Sequence, residues 1–466
     1  MENEKVIVAI ELGSSKISGA AARRTVNGGL EVLACASVPS SAYIKNGAVY
    51  NLDRTADGIA KLIELLERQL NTKIQQAFIG YAGKSLRTVP VVLERTLEEG
   101  AVITNELVDD MLAECGEAQS DDLLSLCVAS QEFRTDHKSV AEPDPVGVAC
   151  SYVEGRFQRV MIRPRLFKLL DDSFKHASLD IADSYVAPMA LANLILSEEE
   201  RQRGCALVDY GADTVTVSVY KGGQLGYLRV IPLGSDTITK DIMSQLQLTH
   251  GQAESLKVTY GLCGEAGQIE ESATVGDKQI SLKLLGEIIE ARNEEIMVNV
   301  ARQIRASGYY DSLFGGIVVT GGGSNLKRLN NIMSGIFAGV SPIRICGRAP
   351  LDVKWCDSSW DTSDGTSLTL LALLARGDEN CCEYQEVDMM VEPVPEEGQS
   401  FDTLSLFNDE GESAQAERDR KEAERRKAKE EHDLEAARKK AEKKEKKNSL
   451  INSARNYFHK FFDDVQ

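Results

Sequence analysis

The chain has 466 residues, a formal charge of −19 and an ordinary apolar share of 42%. That length supports two or three domains with proper cores, and no run nears the ~20 apolar residues that a membrane-crossing helix needs. The acidity argues against general nucleic-acid binding by the folded part.

Residues 1–5 carry neither a basic stretch nor an apolar h-region, so a secretory signal is not expected. The ten cysteines stand singly apart from Cys381-Cys382, with no CxxC pair, and read as reduced thiols rather than a disulfide framework or a metal centre. From Val6 a strand runs into Glu11-Leu12-Gly13-Ser14-Ser15-Lys16 and continues as a ribbon to Ala22. Asn27-Gly28-Gly29 then turns it into a third strand, 31–34. Ile59, Leu62, Ile63, Leu66 and Leu70 fall on one face of a helix over 53–70, and 76–81 returns as a buried strand. Ribbon, helix and strand begin an open α/β layer.

From 84 to 163 the texture changes. Thr104-Asn105 caps a helix start, short strands are expected around 127–133 and 147–153, and the whole reads as a small α+β module set into the first domain. Helices follow at 164–178 and 189–196.

A second ribbon opens with Ala206-Leu207-Val208-Asp209-Tyr210-Gly211-Ala212-Asp213-Thr214, alternates through 215–219 and turns at Lys221-Gly222-Gly223. A helix is expected over 236–246 and a helical turn over 254–260. An insert over 263–308 holds a short strand pair and a long helix, 284–307. A buried strand, 315–320, then runs into Gly321-Gly322-Gly323-Ser324 ahead of a helix over 326–337. The folded body is expected to end near Arg376.

Residues 377–447 are an acidic, mixed-charge linker, with Glu417/Lys421, Glu422/Arg426 and Glu442/Lys446 at i,i+4, and suit a semi-rigid helical spacer. In 448–462, Leu450, Ile451, Ala454, Tyr457, Phe458, Phe461 and Phe462 share one helical face, behind a basic run that includes Lys443, Lys444, Lys446 and Lys447. An in-plane amphipathic membrane helix is the favoured reading and a docked core helix the alternative.

One acidic-x-Gly turn is weak evidence, since many hairpins hold one by chance. Two copies with matching strands and matching following turns are stronger, because backbone amides in such turns hold phosphate oxygens and the strand-end carboxylates, Glu11 and Asp209, orient a metal ion or its water. The glycine run at 321–323 is a third site, where a flat base can approach the backbone and a helix N-terminus offers free amides.

On these three sites the chain resembles the actin-like ATPase superfamily. Within it the chain resembles the FtsA family of bacterial cell-division proteins. That likeness rests also on Gly47-Ala48-Val49-Tyr50-Asn51-Leu52, Asp144-Pro145-Val146-Gly147, Gly234-Ser235-Asp236-Thr237, Ala253-Glu254-Ser255-Leu256-Lys257 and the Arg292 helix. It covers roughly 5–376 and the extreme C-terminus.

The resemblance implies an α/β, actin-like (ribonuclease H-like) two-domain fold with an FtsA-type inserted subdomain, a disordered or helical linker and a C-terminal amphipathic helix. Its divisions fall at 1–83 and 164–204 (first domain), 84–163 (insert), 205–262 and 313–345 (second domain), 263–312 (partner-binding insert), 346–376 (closing segment), 377–447 and 448–466. It implies ATP as ligand, with Gly13, Ser14, Ser15 and Lys16 in the first phosphate loop and Asp209, Gly211, Ala212, Asp213 and Thr214 in the second. Gly234, Ser235, Glu254 and Lys257 would meet phosphate and ribose, and Gly321, Gly322, Gly323 and Ser324 the base. Mg²⁺ would be held by phosphates and water, with Asp209 one shell behind.

It further implies filament formation, recruitment of FtsZ through a surface that includes Arg292, contact with other division proteins, and attachment through the terminal helix to the cytoplasmic face of the plasma membrane at the division site. A solvated helix charge is the equal alternative for Arg292. Glu11 stands where the superfamily usually has Asp, and Asp213 would add a negative charge beside the phosphates; both weigh against fast hydrolysis more than against binding. An actin-fold kinase or chaperone ATPase, and an actin-like pilus-assembly adaptor, are the alternative functions.

Overall fold

The computed structural model describes residues 5–117, 122–136, 144–263, 271–360 and 363–383. The helix expected at the C-terminus, with Leu450, Ile451, Tyr457, Phe458, Phe461 and Phe462, and the expected linker beyond Glu383 lie outside them.

The first half begins with β1 (Ile7–Leu12), β2 (Lys16–Arg24), β3 (Leu30–Pro39) and a small hairpin, β4 (Ile44–Lys45) and β5 (Ala48–Val49). Helix α1 (Leu52–Leu70) follows, capped by the Asn51 side chain and closed by Asn71 in the left-handed region; it buries Ile59, Leu62 and Leu66. Strand β6 (Gln76–Tyr81) then pairs parallel with β1. Gly19 of β2 lets α1 come close, since a Cβ there would stand 2.9 Å from Leu62 Cδ2.

Next come β7 (Arg87–Thr96), α2 (Asn105–Glu117), β8 (Leu124–Thr135) and β9 (Tyr152–Ile162). Two long strands thus replace the short ones expected near 127–133 and 147–153. Alternating side chains along β9 bury Val153, Gly155 and Phe157 on one face, and β7 pairs with β9 along its whole length. The module interrupts the first half in sequence, yet its sheet joins the second half. Arg229 pairs with Arg87, and the Leu228 amide donates to Thr88 Oγ1 at 3.0 Å, so the edge of the second ribbon is covered.

Helix α3 (Pro164–His176), β10 (Asp180–Val186), α4 (Ala187–Ile195) and α5 (Glu198–Arg203) complete the first half. Its six-stranded sheet runs β10-β6-β1-β2-β3 and ends on a late strand, 353–354.

The second half repeats the opening with β11 (Cys205–Tyr210), β12 (Val215–Lys221) and β13 (Gln224–Ile231). Helix α6 (Ser235–Leu246) and α7 (His250–Tyr260) follow, the latter a full helix with a Thr249/Gln252 capping box where one turn was expected. Strands β14 (Ser272–Val275) and β15 (Lys278–Ser281) lead into α8 (Leu282–Ala306), which buries Ile289, Ile296, Val300 and Ile304. Strand β16 (Gly316–Thr320), α9 (Leu329–Ile336), β17 (Ile343–Ile345), β18 (Val353–Lys354) and α10 (Leu368–Arg376) close the body. The eight-stranded sheet is β17-β16-β11-β12-β13-β7-β9-β8.

Ordered chain runs on past Arg376. The Cys381 amide donates to Val6 O at 2.8 Å, Gln75 donates to Cys381 O, and Cys381 is fully buried. Two small apolar side chains and a satisfied backbone make this stretch part of the first half, although its neighbours are acidic.

Candidate functional site

Each half presents the end of its first strand, and the turn after it, to one crevice of about 680 Å³, within the range of small-molecule sites. Glu11, Gly13, Ser14, Ser15 and Lys16 line it from the first half, and Asp209, Gly211, Ala212 and Thr214 from the second. The two ribbons therefore meet.

The first turn is tight because Gly13 has no side chain: a Cβ would lie 2.6 Å from Lys16 O. Ser40 Oγ donates to Gly13 O at 2.6 Å, and Ser14 Oγ accepts the Gly47 amide at 2.8 Å. In the second turn the Gly211 amide donates to Thr214 O, while Gly211 O and Ala212 O accept the Ser235 and Asp236 amides at 3.0 and 2.8 Å. The first amides of α6 thus hold the turn in place.

The Glu11 carboxyl feels the charge of Asp209 across the crevice. Burial, followed by the charge of Asp209 and opposed by Lys16, pushes the Glu11 carboxyl up to about 7. Burial pushes Asp209 up to about 6. Two carboxylates set within one crevice favour protonation, and a cation or cationic complex placed there would reverse it.

At the far end Gly321, Gly322 and Gly323 line the crevice. Gly321 has φ +85, and a Cβ on Gly323 would collide with the Tyr210 ring at 2.5 Å. The expected helix N-terminus is not there: a 3₁₀ turn, Gly322–Asn325, follows, and α9 begins only at Leu329. Ser324 is turned inward, its hydroxyl donating to Gly321 O at 2.7 Å.

Ser235, Glu254 and Lys257 also line the crevice. Lys257 Nζ is bound by Glu254 Oε2 and Thr239 Oγ1, each at 2.8 Å, and by Ser235 O at 3.1 Å, which fixes α7 to α6 beside the site.

Of the residues expected at the nucleotide, Ser324, Gly234 and Asp213 do not line it, and the partner candidate Arg292 lies away from it as well. Gly234 packs against the second turn, where a Cβ would stand 2.1 Å from Ala212 O. Asp213 spends its carboxylate on the Asn46 amide at 3.0 Å, so the expected extra charge beside the phosphates is engaged elsewhere. Arg292 on α8 makes a forked ion pair with Asp241 of α6, with Nε–Oδ2 at 2.5 Å, and also meets Glu295.

Gly47, noted in the sequence but not as a site residue, also lines the wall, with Gly80, Gly83, Asn325 and the turn Asp364-Gly365-Thr366, none of which was expected there. The Asp-Gly-Thr turn is closed locally, Thr366 N–H and Oγ1 both donating to Asp364 Oδ1, and Gly365 takes φ +72 against Gly321. Gly83 stands at the end of β6 with φ +98. Among the described residues no group of three His, Cys, Asp or Glu side chains could hold a metal, and no helix is long and apolar enough to cross a membrane.

Residues 206–351 match the model of the family described as cell division protein FtsA. The chain is 27% identical over 365 residues to cell division protein FtsA of Pseudomonas aeruginosa, covering 76% of this chain and 85% of the relative. It is 28% identical to FtsA of Porphyromonas gingivalis over 73% of this chain and 72% of that one, and 28% identical to that of Bacillus subtilis over 69% and 74%. Among solved structures, the PilM-PilN type IV pilus biogenesis complex superposes with a TM-score of 0.53 at 16% identity, over 79% of this chain and 97% of that one.

Proposed function

We propose, for a chain that carries an FtsA domain and is related to cell-division FtsA proteins over about three quarters of its length, that it is an ATP-binding adaptor of the division machinery. The fold is actin-like. The observation that carries the reading is the single crevice into which Gly13 and Gly211 bring the two equivalent turns. Amides of the Gly13–Lys16 turn, and those after Gly211 in the second turn, would take the phosphates, Ser235, Glu254 and Lys257 the ribose side, and the glycines at 321–323 one face of the base. Glu11 and Asp209 fit a hydrated Mg²⁺, which would supply positive charge against the phosphates and draw off the carboxyl protons.

The adaptor part of the proposal covers self-association into filaments, recruitment of FtsZ and attachment to the cytoplasmic membrane face through residues 448–462. Burying each large apolar side chain of that segment is worth roughly 1.5–3 kcal/mol when complete and less at an interface. One helix would therefore bind reversibly and an array firmly. The pilus likeness, at 16% identity, shares the fold alone and does not favour that alternative.

Two measurements test the reading. Equilibrium binding of a fluorescent ATP analogue with Mg²⁺ is expected, and no binding by the folded chain would refute the nucleotide part. Liposome co-sedimentation with purified FtsZ should show lipid-dependent recruitment that is lost without 448–466; equal recruitment by the truncated chain would refute the membrane part.

A further inference from the structure

Of the ten cysteines, all within the described residues, Cys356 alone is exposed. Its sulfur lies 3.6 Å from that of Cys35, an approach close to van der Waals contact. Cys35 sits on β3, its amide donating to Gln69 Oε1 at 3.1 Å and its carbonyl accepting from Gln69 Nε2 at 3.0 Å, so it is the fixed member. Cys356 follows β18, a two-residue edge strand paired with Leu30 and Glu31, and is the exposed member.

The segment it belongs to carries both tryptophans of the chain, Trp355 and Trp360, stacked 6.0 Å apart. Over the Trp360 ring, at 5.4 Å, stands the ammonium of Lys16, which also lines the crevice. Two thiols, two indoles and one phosphate-loop lysine thus form a single connected patch at the edge of the first sheet.

We propose that Cys35 and Cys356 are an oxidisable pair, which a hydroperoxide joins into a disulfide that fixes the 355–360 segment against Lys16. The exposed Cys356 reacts first, because burial and the neighbouring Cys356 sulfur push the Cys35 thiol up to about 12. The Cys356 thiolate attacks one peroxide oxygen, the O–O bond breaks and water (or an alcohol) leaves, giving a sulfenic acid. The Cys35 sulfur then attacks the Cys356 sulfur; the S–O bond breaks, the S–S bond forms, and hydroxide departs as water with the Cys35 proton. Two thiols have lost two electrons and two protons, and the peroxide is reduced. A dithiol reverses the reaction by exchange. Closing the sulfurs from 3.6 Å to the ~2.05 Å of a disulfide asks a small shift of the exposed segment, not of β3.

The consequence for ligand rests on the proposed nucleotide reading. A Trp360 held in place keeps Lys16 on its ring and away from an anion in the crevice.

Full-length protein is treated with hydrogen peroxide and its peptides mapped by mass spectrometry without reduction, alongside Cys356→Ser. A Cys35–Cys356 linked peptide is expected, absent from the variant and after dithiothreitol, together with a reversible change in tryptophan emission, which reports this segment alone. Cys356 found only as higher oxides, or joined to another partner, overturns the proposal without any variant having to fold. Binding of the ATP analogue should weaken by at least about five-fold on oxidation, the low end of coupling between linked sites. Equal affinity in the two states overturns the link to Lys16. Failure of the reduced protein to bind refutes the nucleotide reading instead, while the peptide map still decides the disulfide.

Discussion

The backbone N–H of Asn46 donates a 3.0 Å hydrogen bond to Oδ2 of Asp213, tying the β4–β5 hairpin of the first half to the second turn of the other half. An aspartate that looked like a charge set against bound phosphate is a fastener between the halves. Its neighbours support that role: Gly47, next in sequence, donates to Ser14 Oγ and lines the crevice.

Replacing Asp213 therefore separates two accounts. If its charge repelled phosphate, Asp213→Ser would tighten binding of an ATP analogue. The hydrogen bond predicts instead an affinity that does not rise and a stability loss of about 1–2 kcal/mol, since a charged acceptor leaves a part-buried amide behind. Urea unfolding and analogue titration on the same preparation check both.

Glu11 makes a prediction in pH. Its folded carboxyl titrates near 7 against an ordinary 4.5, so over that window the folded chain holds a proton that the unfolded chain has released. Stability must then fall as pH rises from 4.5 to 7 and stay at the lower level above it. Asp209, raised from 3.8 to about 6, adds the same sign at lower pH. Glu11→Gln removes the upper part of the slope and should stabilise the ligand-free protein at pH 8 by on the order of 1–2 kcal/mol, with no gain at pH 4. Parallel pH profiles for variant and parent would refute it.

The three glycines at 321–323 are not equivalent. Gly321→Ala imposes a side chain at φ +85 and 2.7 Å from Asp209 Oδ1, and should cost roughly 1–3 kcal/mol. Gly323→Ala drives a methyl into the Tyr210 ring, whose hydroxyl is already committed to Asn293 Oδ1 at 2.8 Å. Gly322→Ala meets only Thr366 Cγ2, at 3.4 Å, and should leave the melting temperature nearly unchanged. Thermal melts of the three variants give the order directly; a Gly322 variant as damaged as the others would contradict it.

The paired ribbons were legible in the sequence because their signal is local: apolar strands, an acidic residue two before a glycine, and a second turn of Gly-Gly. Helices α1 and α8 were legible from apolar spacing, with boundaries off by one or two residues. What the chain did not disclose depends on partners distant in sequence. Nothing within 84–163 says that β7 will pair with β13, because that bond joins Arg87 to Arg229. The Asp364-Gly365-Thr366 turn reads as an ordinary loop until folding sets it against Gly321. Asp213 fell to the same blindness, since its partner lies 167 residues away.

Arg292 tests how a surface charge on α8 acts. Its fork to Asp241, with both side chains about a quarter exposed, binds α8 to α6, the helix whose first amides hold the second turn. Arg292→Ala should cost about 1–2 kcal/mol, Asp241→Ala a similar amount, and the double variant little more than either, a coupling on the order of 1 kcal/mol. The same pair tests the proposed role of Arg292 in binding FtsZ. If Arg292 touches FtsZ directly, Arg292→Ala weakens co-sedimentation while Asp241→Ala, which keeps the guanidinium on the surface beside Glu295, does not. If Arg292 acts only by holding α8 to α6, the two single variants weaken recruitment equally and Arg292→Lys, which keeps charge but not the fork, restores only part of it. Recruitment unchanged in all three would refute a part for this helix in the proposed FtsZ contact.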